Sequence, residues 1–166
     1  MTRRPAILAA VACGLAFAGG CGPGAGSGAA SAPDAIDLPD RLTLVFSLST
    51  VHREDSPAPA GVRVRAYFWS LDKGSPQTVS GTLEMRMYAG RLGPAALASA
   101  EPLRQWTYEP RELTSRLVRT RYGWAYDLPL LWDRPPAAEV VTLRGVYRSP
   151  RGRTLVSRPA NIPLGT

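Results

Sequence analysis

From residue 41 onward, apolar and polar residues alternate along the chain with a period of two, which is typical of half-buried β-strands. The apolar sides of the first two predicted strands are Leu42, Leu44, Phe46 and Leu48, then Val62, Val64, Ala66 and Phe68. A polar, proline-containing break, His52–Ala60, separates them. Asp72–Pro76 has turn chemistry, because its glycine permits a positive φ, so residues 62–88 are predicted to form a hairpin.

Four later segments also have strand character. They are Leu103–Tyr108, Arg121–Trp132, Glu139–Tyr147 and Thr154–Arg158, of which the last two predict a hairpin around Ser149–Gly152. Pro129 lacks the N–H that a central strand needs, so its segment is expected to end at a sheet edge or a bulge. Ala95–Ala100 and Glu109–Leu113 predict short helical turns.

About seven short strands separated by turn signals, without a long amphipathic helix, predict an all-β fold. The expected architecture is one antiparallel β-sandwich, immunoglobulin-like or transthyretin-like, over residues 41–166. A domain of this size can bury a core of its own. We therefore expect a single folded domain that follows a disordered N-terminal tether.

The first 20 residues have the order of a lipoprotein signal peptide. Arg3 and Arg4 precede the apolar run Ala6–Ala18, and small residues lead from Ala18 to Cys21. The run is too short for a membrane span, which needs about 20 residues. The pattern predicts removal of residues 1–20 and diacylation of Cys21, with chains such as palmitate, so that the mature protein is anchored in a membrane of the cell envelope.

Two alternatives for this terminus remain open. Processing at Cys13 would leave only Ala6–Ala12 as the hydrophobic segment. Ordinary signal peptidase cleavage after Ala18 would release a protein with a free thiol at Cys21 and no lipid anchor. If Cys21 is acylated, by contrast, the mature chain has no thiol left for a disulfide or a metal site.

Residues 21–40 are predicted to be a flexible tether. Gly22–Pro39 is rich in glycine, alanine, serine and proline and lacks apolar periodicity. Such a chain reaches about 25 Å, which would keep the domain near its membrane. The residue after Cys21 is Gly22 and not aspartate. In well-studied diderm bacteria this goes with export to the outer membrane, so we expect the domain to be anchored there and to face the periplasm or the exterior.

Positive charge is concentrated in the second half of the chain. Residues 111–166 hold ten arginines against four acidic residues, in a chain with 20 basic and 13 acidic residues. A basic face suits lipid headgroups or acidic envelope polymers, whereas nucleic acid fits the charge but not the compartment.

Aromatic residues beside arginines could stack on sugars or hold anionic polymers. They define a candidate binding surface of Trp106, Tyr108, Arg111, Arg119, Arg121 and Trp124. The competing interpretation is that the same-parity residues from Tyr122 to Trp132 form one inward face of the sandwich.

The sequence lacks the residue patterns of catalysis and metal binding. The single histidine, His52, precedes Glu54 and Asp55, but no nucleophile-elbow motif accompanies it. Calcium-loop spacing and a phosphate-binding glycine loop are also missing, so no cofactor and no metal are predicted. The expected function is a non-enzymatic binding or structural accessory that meets an envelope protein or polymer. A carbohydrate- or anionic-polymer-binding module is the first alternative, and a hydrolase is the second.

Several short motifs resemble an uncharacterised family of bacterial signal-bearing envelope proteins. The motifs are Gly61–Val64, Leu71–Gly74, Gly81–Tyr88, Trp106 and Tyr126–Asp133. The family is similar in placing a Leu-Asp turn and a strand ending in tyrosine ahead of a Tyr-x-apolar-x-Leu-x-Trp strand. The resemblance covers roughly residues 42–160 and implies an envelope location, with no known activity or site residues.

Overall fold

The computed structural model describes the backbone of residues 34–53 and 56–164 and, apart from residues 46–50 and 52–59, their side chains. The strands in this part of the chain are β1 (Arg41–Arg53), β2 (Ser56–Trp69), β3 (Pro76–Gln77), β4 (Thr82–Ala89), β5 (Arg104–Tyr108), β6 (Leu117–Thr120), β7 (Gly123–Leu131), β8 (Val140–Arg148), β9 (Thr154–Val156) and β10 (Ala160–Pro163). A 3-10 turn covers Ala96–Ala98, and helix α1 covers Pro110–Ser115. Both lie where the sequence predicts helical turns.

The strands form two antiparallel sheets. The first sheet has the order β1-β2-β7-β6, with β3 beside β2, and the second sheet has the order β10-β8-β4-β5, with β9 beside β8. The predicted all-β, sandwich-like fold is confirmed. The short strands β3, β6 and β10 add to the seven predicted ones, because two to four residues are too few to show a periodic pattern.

The core lies between the two sheets and follows from the alternation along each strand. The first sheet contributes Val64, Phe68 and Leu128, and the second contributes Met85 and Leu143, all of them completely buried. Burial of such side chains stabilises the fold by about 1.5–3 kcal/mol each. Residues 34–164 contain no cysteine and hence no disulfide. We therefore attribute the stability of this part of the chain to the core and to the strand ladders.

The predicted hairpin over residues 62–88 is wrong. β2 pairs with β1 and β7 in the first sheet, whereas β4 pairs with β5 and β8 in the second sheet. After the Asp72–Pro76 turn, β3 pairs with β2 at only two positions, and the chain then crosses to the other sheet. Alternation predicts which face of a strand is buried, but it does not specify the strand beside it.

Two tyrosine hydroxyls hold the segment that crosses between the sheets. The Tyr126 hydroxyl accepts a hydrogen bond from the Val79 N–H at 2.8 Å, and the Tyr147 hydroxyl accepts one from the Gly81 N–H at 3.0 Å. A Cβ at Gly81 would lie 2.1 Å from the carbonyl oxygen of Arg148, so the close approach requires glycine. We refer to Thr78–Gly81 as the crossover.

The break predicted at His52–Ala60 is also wrong. β1 continues to Arg53 and β2 begins at Ser56, so the two strands form one long hairpin. The register of this pairing shifts between Phe46 and Thr50 and again at His52. Such irregular pairing tolerates the prolines that argued against a strand here.

Contacts with the domain begin before the predicted start at Arg41. Ile36 forms a parallel bridge with Val79, and its N–H donates to the carbonyl oxygen of Thr78 at 2.8 Å. The Asp37 carboxylate pairs with Arg151 at 3.2 Å. The predicted signal peptide, the lipidated Cys21 and the tether up to residue 33 lie outside the described residues.

Pro129 lies at a sheet edge, as predicted. β6 pairs with β7 only over Gly123–Tyr126 and does not reach Pro129. The Trp132 N–H bonds to the Ala60 carbonyl oxygen at 2.9 Å, and odd-numbered residues of β7 therefore direct their backbone groups away from β2. The missing N–H of Pro129 thus costs no bond between β2 and β7.

Candidate functional site

The candidate surface predicted from the sequence divides between two parts of the fold. Trp106 and Tyr108 belong to β5 of the second sheet, and Arg111 is an exposed residue of α1. The β6–β7 hairpin of the first sheet carries the other three, Arg119, Arg121 and Trp124. Binding by these six residues stays a prediction, and their settings differ.

Trp106 and Tyr108 cover one lateral edge of the sandwich, which we term the closed edge. The Trp106 Nε1–H donates to the carbonyl oxygen of Leu131 at 3.0 Å, and the Tyr108 hydroxyl donates to that of Pro129 at 3.1 Å. Both carbonyls lie on the side of β7 that β6 leaves uncovered. The two aromatic side chains therefore satisfy main-chain acceptors that strand pairing leaves open.

Tyr108 is buried as well as hydrogen-bonded, with only 4% of its surface exposed. Its pKa is raised to about 12, chiefly by burial, with a smaller upward contribution from the negative charge of Glu112 and a downward one from Arg116. The phenol is therefore a neutral donor at physiological pH. These properties fit a structural role at the closed edge.

The β6–β7 hairpin carries two arginine–aromatic pairs. The guanidinium carbon of Arg119 lies 5.1 Å from the ring centre of Trp124, and that of Arg121 lies 4.6 Å from the ring centre of Tyr122. Arg121 also donates a hydrogen bond to the Tyr122 hydroxyl. Such contacts hold the guanidinium groups in place while leaving their charge exposed.

Gly123 sets the shape of this hairpin. Its φ of +131° is a conformation that other residues rarely adopt, and a Cβ would lie 2.8 Å from Cδ of Pro76. The Thr120 hydroxyl donates to the Gly123 carbonyl oxygen at 2.9 Å and fastens the turn. The sequence analysis gave no weight to this glycine.

A shallow groove of about 600 Å³ runs along the outer face of the first sheet beside the hairpin. We term it the basic groove, and its lining residues are Val45, Arg65, Tyr67, Val118, Arg119, Thr120, Arg121 and Tyr122. Tyr67 is buried, and Tyr122 is 55% exposed and meets it edge-on, with ring centres 6.3 Å apart at 79°. The groove thus combines one accessible aromatic ring with cationic walls.

Three arginines and no carboxylate line the basic groove. Arg65 has a partner at its border, Asp127, whose Oδ1 lies 3.7 Å from the Arg65 Nε. Within the described part of the chain, Arg119 and Arg121 form no ion pair with an acidic side chain. Two exposed positive charges are therefore left for an external anion.

The more buried carboxylates are already paired with arginines. Glu84, 9% exposed, contacts Arg86 and lies 3.8 Å from Arg148, and its hydrogen bond raises the pKa of Arg86. Asp127 pairs with Arg63 at 2.6 Å. These carboxylates are therefore already engaged by arginines on the faces of the sheets.

A larger open cleft of about 1030 Å³ lies where β1 of the first sheet faces the β9–β10 segment of the second. Its lining residues are Asp40, Arg41, Leu42, Thr43, Leu44, Trp69, Ser70, Leu71, Lys73, Gly74, Leu155, Val156, Arg158, Pro159 and Ala160. Leu71 is 89% exposed at its rim. The sequence analysis did not identify this open cleft, although Leu71 stands out as an apolar residue within a turn.

Residues 34–53 and 56–164 contain neither a metal-binding cluster nor a membrane-spanning helix. No three His, Cys, Asp or Glu side chains in these ranges are close enough to hold a metal ion together. None of the helices in the same ranges has the length and hydrophobicity of a membrane span.

No protein-family model, no curated protein and no solved structure matches this chain. The resemblance to an uncharacterised envelope family therefore stays a prediction. The fold defines the class of protein as all-β, with two antiparallel sheets.

Proposed function

We propose that this protein is a non-enzymatic accessory domain of the cell envelope, tethered to a membrane through acylated Cys21, that binds an acidic envelope polymer in the basic groove. The lipoprotein signal pattern before Cys21 supports this location. The observation that carries the binding proposal is the pair of exposed arginines, Arg119 and Arg121, in a groove without a carboxylate in its lining. A tethered domain with such a groove concentrates its positive charge near one surface.

The ring geometry favours an anionic polymer over a neutral sugar chain. Carbohydrate platforms use exposed, coplanar aromatic rings, whereas Tyr67 is buried and Tyr122 stands at 79° to it. Arginine, by contrast, presents a planar fork of donors that fits carboxylate, sulfate and phosphate groups. We therefore expect charge, and not ring stacking, to dominate binding.

Binding to dextran sulfate, with uncharged dextran as the control polymer, tests this proposal. The double variant R119Q/R121Q should bind dextran sulfate roughly tenfold more weakly, since each exposed ion pair contributes up to about 1 kcal/mol. The variant R91Q/R134Q removes two exposed arginines outside the groove and is the control of equal charge. Affinity should fall as the salt concentration rises, because salt screens exposed charges.

Equal weakening in both double variants, or binding that salt leaves unchanged, would contradict a defined polymer site. Vesicles of phosphatidylglycerol in phosphatidylcholine separate the other anionic source. If they bind more tightly than dextran sulfate and R119Q/R121Q reduces that binding, the groove recognises membrane headgroups and the polymer assignment is wrong.

The anchor has a separate test. Mass spectrometry of the mature amino terminus should find a diacylated Cys21, and Cys21→Ser should release the protein from the membrane fraction. Cys13→Ser is the matched control and should leave the anchor intact. An unlipidated terminus at Gly19 would contradict the tether while leaving the basic groove unaffected.

A further inference from the structure

The open cleft exposes main-chain groups of β1 that no strand in the described part of the chain uses. β1 is the outermost strand of its sheet and pairs with β2 alone. Because the Ala60 carbonyl oxygen bonds to β7, the odd-numbered residues of β2 direct their backbone groups to β1. The β1 residues opposite them, such as Thr43, use their backbone groups for that pairing. The N–H and C=O groups of Leu42 and Leu44 therefore point away from β2, towards the open cleft. Leu42 is only 3% exposed, whereas Leu44 is half-buried, so the accessible main-chain groups are those of Leu44.

The part of β1 that lines the open cleft also lacks two features with which proteins protect an uncovered strand, namely internal charges and prolines. Residues 42–51 of β1 contain no charged residue and no proline. β1 has its charged residues only at its two ends, Arg41 and Arg53, whereas the outer strand β6 carries Arg119 within its length and β10 ends at Pro163. An unprotected edge is a template for pairing with a further strand.

The charges around the edge indicate what kind of strand fits. Arg41, Lys73 and Arg158 line the open cleft, and none of them has an ion pair with an acidic side chain among the described residues. The single acidic lining residue, Asp40, accepts a hydrogen bond from the Leu71 N–H at 2.8 Å, so its carboxylate is already engaged. The open cleft is therefore cationic around an apolar base.

We propose that the open cleft binds an extended acidic segment of a partner protein, which adds to β1 as a further strand. Its backbone bonds to Leu44, its apolar side chains pack against Leu44 and Leu155, and its carboxylates meet Lys73 and Arg158. A second copy of this chain is a poorer occupant, because the chain carries a net charge of +7 and would oppose its own cations. The basic groove shares no lining residue with the open cleft, so this proposal is independent of the first one.

The probe is a synthetic peptide of about eight residues with alternating valine and glutamate, which as a strand spans roughly 26 Å of β1. A valine–lysine peptide of equal length is the matched control. We expect the glutamate peptide to bind at least tenfold more tightly and to slow hydrogen exchange at the Leu44 amide. The Thr43 amide, which is already paired with β2, serves as the internal reference.

Charge reversal locates the peptide on the molecule. The variant K73E/R158E should weaken binding of the glutamate peptide roughly tenfold, while R91E/R153E, at exposed positions outside the open cleft, should weaken it much less. R119Q/R121Q should leave peptide binding unchanged, so failure of this proposal is distinguishable from failure of the polymer proposal.

Three results would overturn the inference. One is binding of the glutamate peptide no tighter than that of the lysine peptide. Another is binding without protection of the Leu44 amide, which would place the peptide elsewhere. The third is a concentration-dependent dimer that protects the same amide without peptide, which would make a second copy the occupant.

Discussion

The closed edge and the open cleft lie at opposite ends of the strand order. They differ in whether main-chain groups that no strand covers have a hydrogen-bond partner. At the closed edge, Trp106 and Tyr108 reach from β5 to the carbonyl oxygens of Leu131 and Pro129. At the open cleft, the outward groups of β1 face a space of about 1030 Å³. One edge is completed by side chains of the chain itself, and the other is left ready for an external strand.

This difference separates structural aromatic residues from binding ones. Trp106 and Tyr108 look like binding residues in the sequence because they are aromatic and lie near arginines. In the fold, their polar atoms donate hydrogen bonds to main-chain carbonyl oxygens within the sandwich. The open cleft, by contrast, joins unpaired main chain to cations, and it contains only one aromatic residue, Trp69, among its lining residues.

The largest expected effect comes from emptying the closed edge. Tyr108→Ala should lower the free energy of unfolding by about 3–5 kcal/mol, because it leaves a cavity as well as an unpaired carbonyl. Tyr108→Phe keeps the ring and should lower it by only about 1 kcal/mol. Urea denaturation measures both variants, and equal losses would mean that the ring does not pack as described.

Alkaline pH should destabilise the protein through two buried tyrosines, Tyr108 at the closed edge and Tyr126 at the crossover. The pKa values of Tyr108 and Tyr126 are raised to about 12, chiefly by burial, whereas an unfolded tyrosine titrates near 10. The stability that these neutral phenols contribute is complete below pH 10 and is lost as the pH rises towards 12. The slope is about 1.4 kcal/mol per pH unit for each phenol.

Urea denaturation between about pH 10 and pH 12 measures this slope, and Tyr108→Phe should reduce it by one phenol's share. A slope that is the same in Tyr108→Phe and in the unaltered protein would show that Tyr108 does not titrate as its burial implies. Tyr147, whose pKa is also raised by burial, contributes in the same direction.

Trp106→Phe should have a smaller effect on the closed edge. It removes the Nε1–H that donates to the Leu131 carbonyl oxygen and keeps an aromatic ring, so we expect a loss of about 1 kcal/mol. Slow exchange at amides near the end of β7 should become faster. A loss as large as that of Tyr108→Ala would assign the main role to packing instead of the hydrogen bond.

The smallest change in stability is expected at the open cleft. Leu71→Ser removes a side chain that is 89% exposed, so the free energy of unfolding should change by less than about 0.5 kcal/mol. Binding of the valine–glutamate peptide should weaken in the same variant, because Leu71 lines the rim. A large loss of stability would contradict the exposed placement of this residue.

The sequence is informative about faces and turns but not about strand partners. Alternation identifies Val64, Ala66 and Phe68 as inward residues, and the edge position of Pro129 follows from its missing N–H. The partner of β2 depends on contacts between distant residues, which a local pattern does not contain. The predicted hairpin over residues 62–88 fails for this reason.

The candidate site shows the same difference between local contacts, which the sequence predicts, and long-range contacts, which it does not. Pairing in a tight hairpin makes Arg119 and Trp124 neighbours, so local sequence is enough to bring them together. The open cleft joins β1 to residues 155–160, more than a hundred positions away, and only the folded chain brings these segments together. Aromatic composition alone therefore places Trp106 and Arg119 in one surface, whereas the fold gives them separate settings.

The crossover has a consequence for how the chain reaches its fold. Its two hydrogen bonds join residues that are 47 and 66 positions apart, so the Val79–Tyr126 bond requires β7 and the Gly81–Tyr147 bond requires β8. Contacts of such long range slow folding, because the loop must close before the bonds form. In a chain that emerges from its amino terminus, the crossover would therefore lack its second hydrogen bond until Tyr147 had appeared. The contact between the two sheets at the crossover would be among the last to form.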